Sequence, residues 1–247
     1  MRVLVVAAMD REVRPLARTL SLQRAFIGDQ PAWLGATVAV AVVGVGPDVA
    51  GRTTRALLAE FGHGDGSGRR LNGGYGVERV LVVGVAGAVD PSLAVGDVVV
   101  PVEVVDRSTG ARFRPDPLPG LVTSGVLATT PHLLGPDAVA ELRTAGVAAV
   151  DMETAAVAGA CDDAGVPWSV VRAVSDRLAD GLVDDAVLRL TRPDGTTNPA
   201  AVAAYLLRRP WRIGRLAKLG AGTGKAVRAV TRAAAAACQD LQDRQDR

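Results

Sequence analysis

The sequence is poor in cysteine, histidine and aromatic residues, and each shortage excludes a class of protein. Two cysteines, Cys161 and Cys238, are too few for a disulfide scaffold and lack the paired spacing of a zinc site. Only His63 and His132 are present, so a multi-histidine metal centre is excluded and no metal site is expected. Because Phe, Trp and Tyr make up only 3% of the chain, a buried core must be built from Ala, Val and Leu.

The chain also lacks a charge excess and a long apolar run. Its 28 basic and 26 acidic residues leave a net charge of +2, so no nucleic-acid partner is expected. No stretch reaches the roughly 18 to 20 apolar residues of a membrane span, and the apolar run at 3–8 is too short for a signal peptide. Together with the few cysteines, these features predict a soluble protein of the cytoplasm.

Runs of β-branched residues alternate with helical patterns along most of the chain. Strands are predicted at 3–7, 38–43, 80–85, 97–105, 121–127, 147–151 and 169–174. Helices are predicted at 9–20, 48–60, 137–144 and 152–164, the last capped by Asp151. The alternation predicts an α/β fold, a single-domain three-layer α/β/α arrangement with a central mixed sheet. We assign residues 1–204 to this domain.

The segment at 205–232 is basic and amphipathic. It contains no acidic residue, and Ile213, Leu216 and Leu219 recur at helical spacing. Such a segment fits either peripheral contact with an anionic membrane or a solvated helix packed on its own domain, and both interpretations stay open. We therefore expect residues 205–247 to form a basic helical C-terminal extension. Its eight basic residues up to position 232 are Arg208, Arg209, Arg212, Arg215, Lys218, Lys225, Arg228 and Arg232.

Three acidic residues, Glu12, Glu153 and Asp176, lie at or near the ends of predicted strands. In open α/β sheets the carboxyl ends of the strands line the ligand crevice, so these acids are candidate site residues. Each one alone could instead be a favourable charge or cap at the start of a helix. Ser175 and Arg172 accompany Asp176 in the sequence. Arg172 ends a buried strand and needs an anionic partner, for which Glu12 and a bound phosphate are the candidates.

Four ordered sequence blocks carry a resemblance to a known family. They read MDREV at 9–13, GVAGAVDPSL at 84–93 continuing to VGDVVV at 95–100, VDMETAA at 150–156 and VRAVSD at 171–176. These blocks resemble the purine nucleoside phosphorylase and methylthioadenosine/S-adenosylhomocysteine nucleosidase superfamily. The segment TSGVLATTP at 123–131, the DME spelling at 151–153 and the Arg-rich tail are more similar to the hopanoid-associated branch, which is implicated in removing adenine from adenosylhopane.

The resemblance implies a role for each matched residue. Asp176, assisted by Ser175, would protonate N7 of adenine, Glu153 would bind the ribose hydroxyls, and Glu12 would activate water with Arg172 nearby. The chemistry suits these residue types, because the transition state needs an acid at the base and an anion at the sugar. Asp176 must then hold a proton near neutral pH while Glu12 stays ionised. Further substrate contacts implied by the resemblance are Met152, Ala86, Gly87 and Thr129.

The sequence favours hydrolysis over phosphorolysis. Val85 stands where relatives often carry a hydroxyl for the nucleophile, and the candidate donors for a phosphate dianion are Arg172, Arg52 and Arg55. We predict a nucleosidase that releases adenine from a methylthioadenosine-, S-adenosylhomocysteine- or adenosylhopane-like substrate without a cofactor. A phosphate-dependent phosphorylase and a non-catalytic nucleoside-binding protein remain alternatives. The resemblance also implies a homodimer.

Overall fold

A computed structural model describes residues 3–61, 76–181, 198, 201 and 213–243. The glycine-rich segment at 62–76, which the sequence predicts as a loop, lies outside the described residues except for Gly76. The predicted boundary between residues 204 and 205 also lies outside them and stays a prediction.

Strands and helices alternate through the described ranges, as the sequence pattern predicts. The strands are β1 (Val3–Ala7), β2 (Gln23–Ile27), β3 (Gln30–Leu34), β4 (Val38–Val42), β5 (Arg79–Ala88), β6 (Val98–Val99), β7 (Glu103–Asp106), β8 (Arg112–Phe113), β9 (Val126–Thr129), β10 (Val147–Asp151) and β11 (Trp168–Arg177). The helices are α1 (Asp10–Thr19), α2 (Pro47–Phe61), α3 (Pro136–Thr144), α4 (Thr154–Asp163) and α5 (Ile213–Asp243), and a 3₁₀ turn occupies Leu178–Asp180.

The strands form one mixed sheet of eleven strands. Its main order is β2-β3-β4-β1-β5-β10-β9-β7-β8, and β11 pairs with both β5 and β6. β1 runs parallel to β4 and β5, and β11 runs parallel to β5. β1 and β4 are buried at every position, which central parallel strands require because helices cover both faces.

Helices cover the two faces of the sheet and enclose two separate apolar cores. One core contains Leu4, Val82 and Val170 from the sheet together with α2 and α4. The other contains the alternate residues of the same strands, whose side chains point to the opposite face, together with α1 and α5. A third, smaller cluster lies under α3. The predicted three-layer α/β/α arrangement around a mixed sheet is confirmed.

α5 forms part of this three-layer structure. Ala226, Val230, Ala234 and Cys238 are buried in the core that α5 shares with α1 and the sheet. The sequence left two interpretations of the basic segment open. The described part of α5 agrees with the one in which the helix packs on its own domain. A membrane role for its exposed basic side chains stays a prediction. Among the helices of the described ranges, none is both long enough and apolar enough to cross a bilayer.

The predicted strand limits fail at two places for local reasons. The strand predicted at 97–105 is divided into β6 and β7, because Pro101 lies between them and has no N–H to donate to a ladder. The strand predicted at 121–127 begins only at Val126, after Gly125 with φ +72°. The hairpin β2–β3 was not predicted, because β2 lies at the edge of the sheet and is half exposed.

Candidate active site

The candidate site lies where β5 changes its pairing partner along one edge. Residues 79–82 of β5 pair with β1, and residues 87 and 88 pair with β10, which arrives from the opposite direction. Between them, the Val83 carbonyl accepts a hydrogen bond from Arg172, and the Val85 N–H donates to Glu12. A partner change of this kind opens a crevice at the carboxyl end of the strands, as at the switch points of other α/β sheets.

Arg172 crosses this opening over a glycine. It is 1% exposed and lies on β11 directly opposite Gly84 of β5. A Cβ added at Gly84 would lie only 2.1 Å from Arg172 Nη1 and 3.1 Å from Glu12 Oε1. Only glycine leaves room for the guanidinium to pass over β5 and approach Glu12.

The anionic partner of Arg172 is Asp151, which was not among the two candidates from the sequence, Glu12 and a bound phosphate. Arg172 Nη2 donates to Asp151 Oδ2, and the two side chains are 2% and 1% exposed. Thr154 Oγ1 accepts from Arg172 at 2.7 Å and also donates to Asp151. Thr129 Oγ1 donates to the other oxygen of Asp151 at 2.7 Å. Donors thus surround this carboxylate, as a buried charge requires.

Asp151 also contacts the start of α4, but it does not occupy the predicted cap position. α4 begins at Thr154 and its N-cap residue is Glu153, two residues later than predicted. Asp151 Oδ2 still accepts from the Thr154 N–H at 3.1 Å, a contact between residues three positions apart. The ion pair with Arg172 spans 21 residues and depends on how two strands are placed, which no local pattern records.

Glu12 enters the site from the first turn of α1 and is 2% exposed. Its Oε1 accepts from the Val85 N–H at 3.0 Å, and its Oε2 accepts from the Met9 N–H at 3.0 Å. Burial raises the pKa of Glu12, while the nearby charge of Arg172 and the two N–H donors lower it. Burial makes Glu12 a stronger base than an exposed glutamate, and the cation favours its ionised form.

Glu153 lies on the other side of the opening, just before α4. Its Oε1 accepts from the Gly46 N–H at 2.8 Å, which joins α4 to the loop after β4. Burial raises the pKa of Glu153 to about 8, and the negative charge of Asp151 adds to the effect while Arg172 opposes it. The charge of Glu12 also raises this pKa, so the two acids share one electrostatic environment. This raised pKa favours the protonated form of Glu153 near neutral pH.

Asp176 stands opposite Gly87, two residues further along β5 than the contact of Glu12. Two residues of a strand span about 7 Å, a distance that a sugar–base linkage can bridge. The pairing of β11 with β5 shifts between Val174 and Asp176, so Ser175 is an extra residue. Such a bulge changes the direction in which the following side chain points. The sequence gives no sign of it.

The environment of Asp176 favours the protonated acid. Burial raises its pKa, the charge of Asp180 raises it further, and the hydroxyl of Ser175 lowers it. Ser175 Oγ donates to Asp176 Oδ1 at 2.6 Å. Burial thus raises the pKa of both Asp176 and Glu12, but a buried arginine counteracts it only at Glu12. Both pKa values are raised overall, so the two environments differ in the opposing cation at Glu12 and not in the direction of the shift.

The remaining predicted contacts lie around the same opening. Ala86 and Gly87 belong to the end of β5, and Met152 is half-buried between Asp151 and Glu153. The hydroxyl of Thr129 donates to Asp151 and accepts from the Ala155 N–H at 3.0 Å, so it supports the arginine pair. The structure brings these positions together, and their roles toward a substrate stay predictions.

Comparison with known proteins finds nucleosidases and a futalosine hydrolase. A 5′-methylthioadenosine/S-adenosylhomocysteine nucleosidase of Bacillus thuringiensis is 29% identical over 236 residues, covering 77% of this chain and 95% of its own. The structure resembles futalosine hydrolase of Helicobacter pylori, with a TM-score of 0.68, 17% identity and 98% of each chain covered. It also resembles a methylthioadenosine/S-adenosylhomocysteine nucleosidase of Colwellia psychrerythraea in complex with adenine, with a TM-score of 0.58, 26% identity, and 72% and 83% covered.

The sequence pattern of one family covers most of the chain. It matches residues 2–135 and 120–208, which include the strands and helices that carry Glu12, Glu153 and Asp176. With its mixed sheet and its opening beside β5, the chain belongs to the phosphorylase superfamily.

Proposed function

We propose that the protein is a nucleosidase that hydrolyses the N-ribosidic bond of an adenine nucleoside and releases adenine. One observation carries the proposal. Three buried acids lie around the carboxyl end of β5, and Glu12 lies beside a buried cation while Asp176 lies beside a second acid. Cleavage of this bond needs a base at the sugar and an acid at the purine at the same pH.

In the proposed reaction Glu12 starts ionised and Asp176 starts protonated. Glu12 accepts a proton from water as the water oxygen bonds to C1′ of the ribose. The C1′–N9 bond breaks, its electrons pass to the purine, and Asp176 donates its proton to N7. Afterwards Glu12 holds a proton and Asp176 has lost one, so proton exchange with solvent restores the starting state. Glu153, whose raised pKa favours the protonated form, can donate to a ribose hydroxyl or accept from it.

The contacts of the arginines support hydrolysis over phosphorolysis. The guanidinium of Arg172 already donates to Asp151, Thr154 and the Val83 carbonyl. Arg55, a second candidate for phosphate, forms an exposed ion pair with Asp163 at 3.3 Å on the outside of α2 and α4. A phosphate dianion needs several donors, and these two arginines are engaged by carboxylates.

The substrate class is inferred from the relatives. The relatives named above act on methylthioadenosine and S-adenosylhomocysteine or on futalosine, and the Colwellia structure holds adenine. We propose an adenine nucleoside with a 5′ substituent as the substrate. The hopanoid-associated branch, with adenosylhopane as the substrate, stays a prediction from the sequence.

The test is adenine release from methylthioadenosine, S-adenosylhomocysteine and adenosylhopane, measured with and without phosphate. We expect adenine and free ribose product without phosphate. Glu12→Gln and Asp176→Asn should each lower kcat by a hundredfold or more, since one positioned acid or base contributes on the order of 10²–10⁴-fold. Asp163→Asn, an exposed carboxylate on α4, is the control.

Two results would overturn the proposal. Formation of a ribose 1-phosphate that requires phosphate would identify a phosphorylase. Binding of all three nucleosides without turnover would identify a nucleoside-binding protein. A near-normal rate for either site variant would remove the role assigned to that residue alone.

We also propose three properties of the whole protein: a homodimer, a cytoplasmic location and peripheral contact with anionic membranes. Cys161 and Cys238 are both free and buried, which suits a reducing compartment.

The neighbouring helices α1 and α5 both expose basic side chains, each worth about 1 kcal/mol near an anionic surface. These side chains are Arg11, Arg14, Arg18, Lys225, Arg228 and Arg232. Flotation with phosphatidylglycerol vesicles, compared with neutral vesicles, tests the contact.

A further inference from the structure

The beginning of α5 lies against the segment that follows Asp176. Three residues of α5 make the contacts: Arg215, Lys218 and Gly222. They recur at positions i, i+3 and i+7, a spacing that places them on one side of a helix. We call them the 215–222 face.

The 215–222 face holds the 3₁₀ turn through its two cations. The guanidinium of Arg215 donates to the carbonyl of Gly181, which ends the turn. The ammonium nitrogen of Lys218 lies 3.1 Å from Asp180 Oδ2, with the two side chains 64% and 34% exposed. α5 lies more than thirty residues further along the chain than the turn. Its two cations hold the turn in position and set the net charge around Asp180.

Gly222 brings the same helix into backbone contact with the strand. A Cβ built on Gly222 would lie 2.4 Å from the carbonyl oxygen of Ser175, the bulged residue before Asp176. On the far side of the turn, Leu178 packs over Gly87, where a Cβ would meet its Cδ2 at 2.8 Å. The turn is thus held between α5 and the end of β5, beside the acid.

We propose that Lys218 and Asp180 are a positioning pair for the general acid: their ion pair holds the turn beside Asp176 and sets the negative charge that the acid faces. The proposal rests on the proposed function for the role of Asp176. Burial raises the pKa of Asp176 and the charge of Asp180 raises it further, and Lys218 partly neutralises that charge.

Other charged side chains near the turn are engaged elsewhere or point outward. Arg143 of α3, which packs against the turn, donates to the Val89 carbonyl at 3.4 Å. Asp90 accepts from the Ser92 N–H at 2.8 Å. The remaining charged residues of α3 and of the end of β11 are the exposed Asp137, Glu141 and Arg177. α5 adds Arg215, which donates to the Gly181 carbonyl, and the exposed Lys225 and Arg228.

Two variants separate an electrostatic role from a merely structural one. Lys218→Met leaves the charge of Asp180 without its neutralising partner, so Asp176 should keep its proton to a higher pH. Asp180→Asn removes that charge and leaves Lys218, so Asp176 should lose its proton at a lower pH. Both variants break the same ion pair. If the pair only held the turn in place, both variants would therefore shift the pKa of Asp176 in the same direction.

The titration of Asp176 is followed by carbon-13 NMR of the ligand-free protein, using the carboxyl signal that Asp176→Asn removes. We expect opposite shifts in the two variants, smaller in 1 M salt because the pair is exposed. With methylthioadenosine as substrate, kcat on the falling alkaline limb should change in the same two directions, on the order of twofold. Arg24→Met, which removes an exposed cation from β2, should leave both measurements unchanged.

Equal or same-direction shifts in the two variants would overturn the positioning pair. The NMR result does not depend on turnover. Loss of the proposed function would instead appear as absence of adenine release from the wild-type chain, whatever the titration of Asp176.

Discussion

At the scale of single residues, Gly84 is the position on which the site geometry depends most. Gly84→Ala places a Cβ within 2.1 Å of Arg172 Nη1, so the guanidinium must leave Asp151 or the strand must move. Disturbing a buried ion pair costs on the order of 3 kcal/mol. We expect a loss of that size in the free energy of unfolding, measured by urea denaturation, together with loss of adenine release.

Gly110→Ala is the matched control for this change. Gly110 also has a positive φ, +76°, but nothing lies within 4 Å of its added Cβ. It should cost only the backbone strain of about 1–2 kcal/mol and retain activity. Equal effects of the two substitutions would show that strain alone, and not the passage of Arg172, makes glycine necessary at position 84.

The raised pKa of Glu153 predicts an unusual pH dependence of stability. Between the ordinary glutamate value and about 8, the folded protein keeps this proton while the unfolded chain loses it. The free energy of unfolding should therefore fall as pH rises through this range, and the fall should end above pH 8. Glu12 and Asp176 have pKa values raised in the same direction and add to the slope.

Glu153→Gln mimics the protonated side chain and should reduce this slope. Urea denaturation at a series of pH values from 5 to 9 measures the slope. Glu141→Gln on α3 changes an exposed carboxylate and serves as the control. A slope unchanged by Glu153→Gln would mean that Glu153 is ionised in the folded protein at neutral pH.

At the scale of secondary-structure elements, the sequence predicts what depends on neighbouring residues and misses what depends on distant ones. The helices α1 to α4 lie close to their predicted limits, because caps and apolar spacing are local. The change of partner along β5 and the bulge at Ser175 were missed, since each is a property of paired strands. The three acids were nonetheless identifiable, because each lies at or near the end of a strand.

The amphipathic pattern of α5 is local and was predicted, whereas its packing on the sheet depends on distant residues. A pair of substitutions tests this packing. Ala234 is fully buried in the core under α5, whereas Ala236 is exposed two residues later. Ala234→Glu buries a charge without a partner and should lower Tm by many degrees, while Ala236→Glu should leave Tm nearly unchanged. Thermal unfolding followed by circular dichroism measures both. Equal Tm values would mean that α5 is dispensable for the fold.

At the scale of the whole molecule, an exposed apolar surface near the site favours the proposed homodimer. Val98, Val102 and Val122 are 38%, 51% and 88% exposed. The segments that carry them are adjacent, because the Ser124 N–H donates to the Val100 carbonyl at 2.8 Å. Isolated exposed valines are ordinary, but exposed apolar side chains grouped on adjacent segments are typical of an interface.

Val122→Glu should convert the proposed dimer into a monomer, since it places a charge at the most exposed of the three valines. Light scattering after size-exclusion chromatography measures the mass. Phe26→Ser is the control, because Phe26 is 63% exposed on the edge hairpin, away from this surface. A wild-type monomer would exclude the homodimer, and a dimeric Val122→Glu would move the interface elsewhere.

Through the contact between Gly222 and the Ser175 carbonyl, α5 packs on the strand that carries Asp176. The site is therefore complete only after α5 has been synthesised. In the part of the chain that the structure describes, every strand precedes α5, so an emerging chain can pair these strands while the face that α1 and α5 share is only partly covered. During that interval the apolar side chains beneath α5 are open to chaperones. Adenine release should therefore appear only after residue 243 has left the exit tunnel.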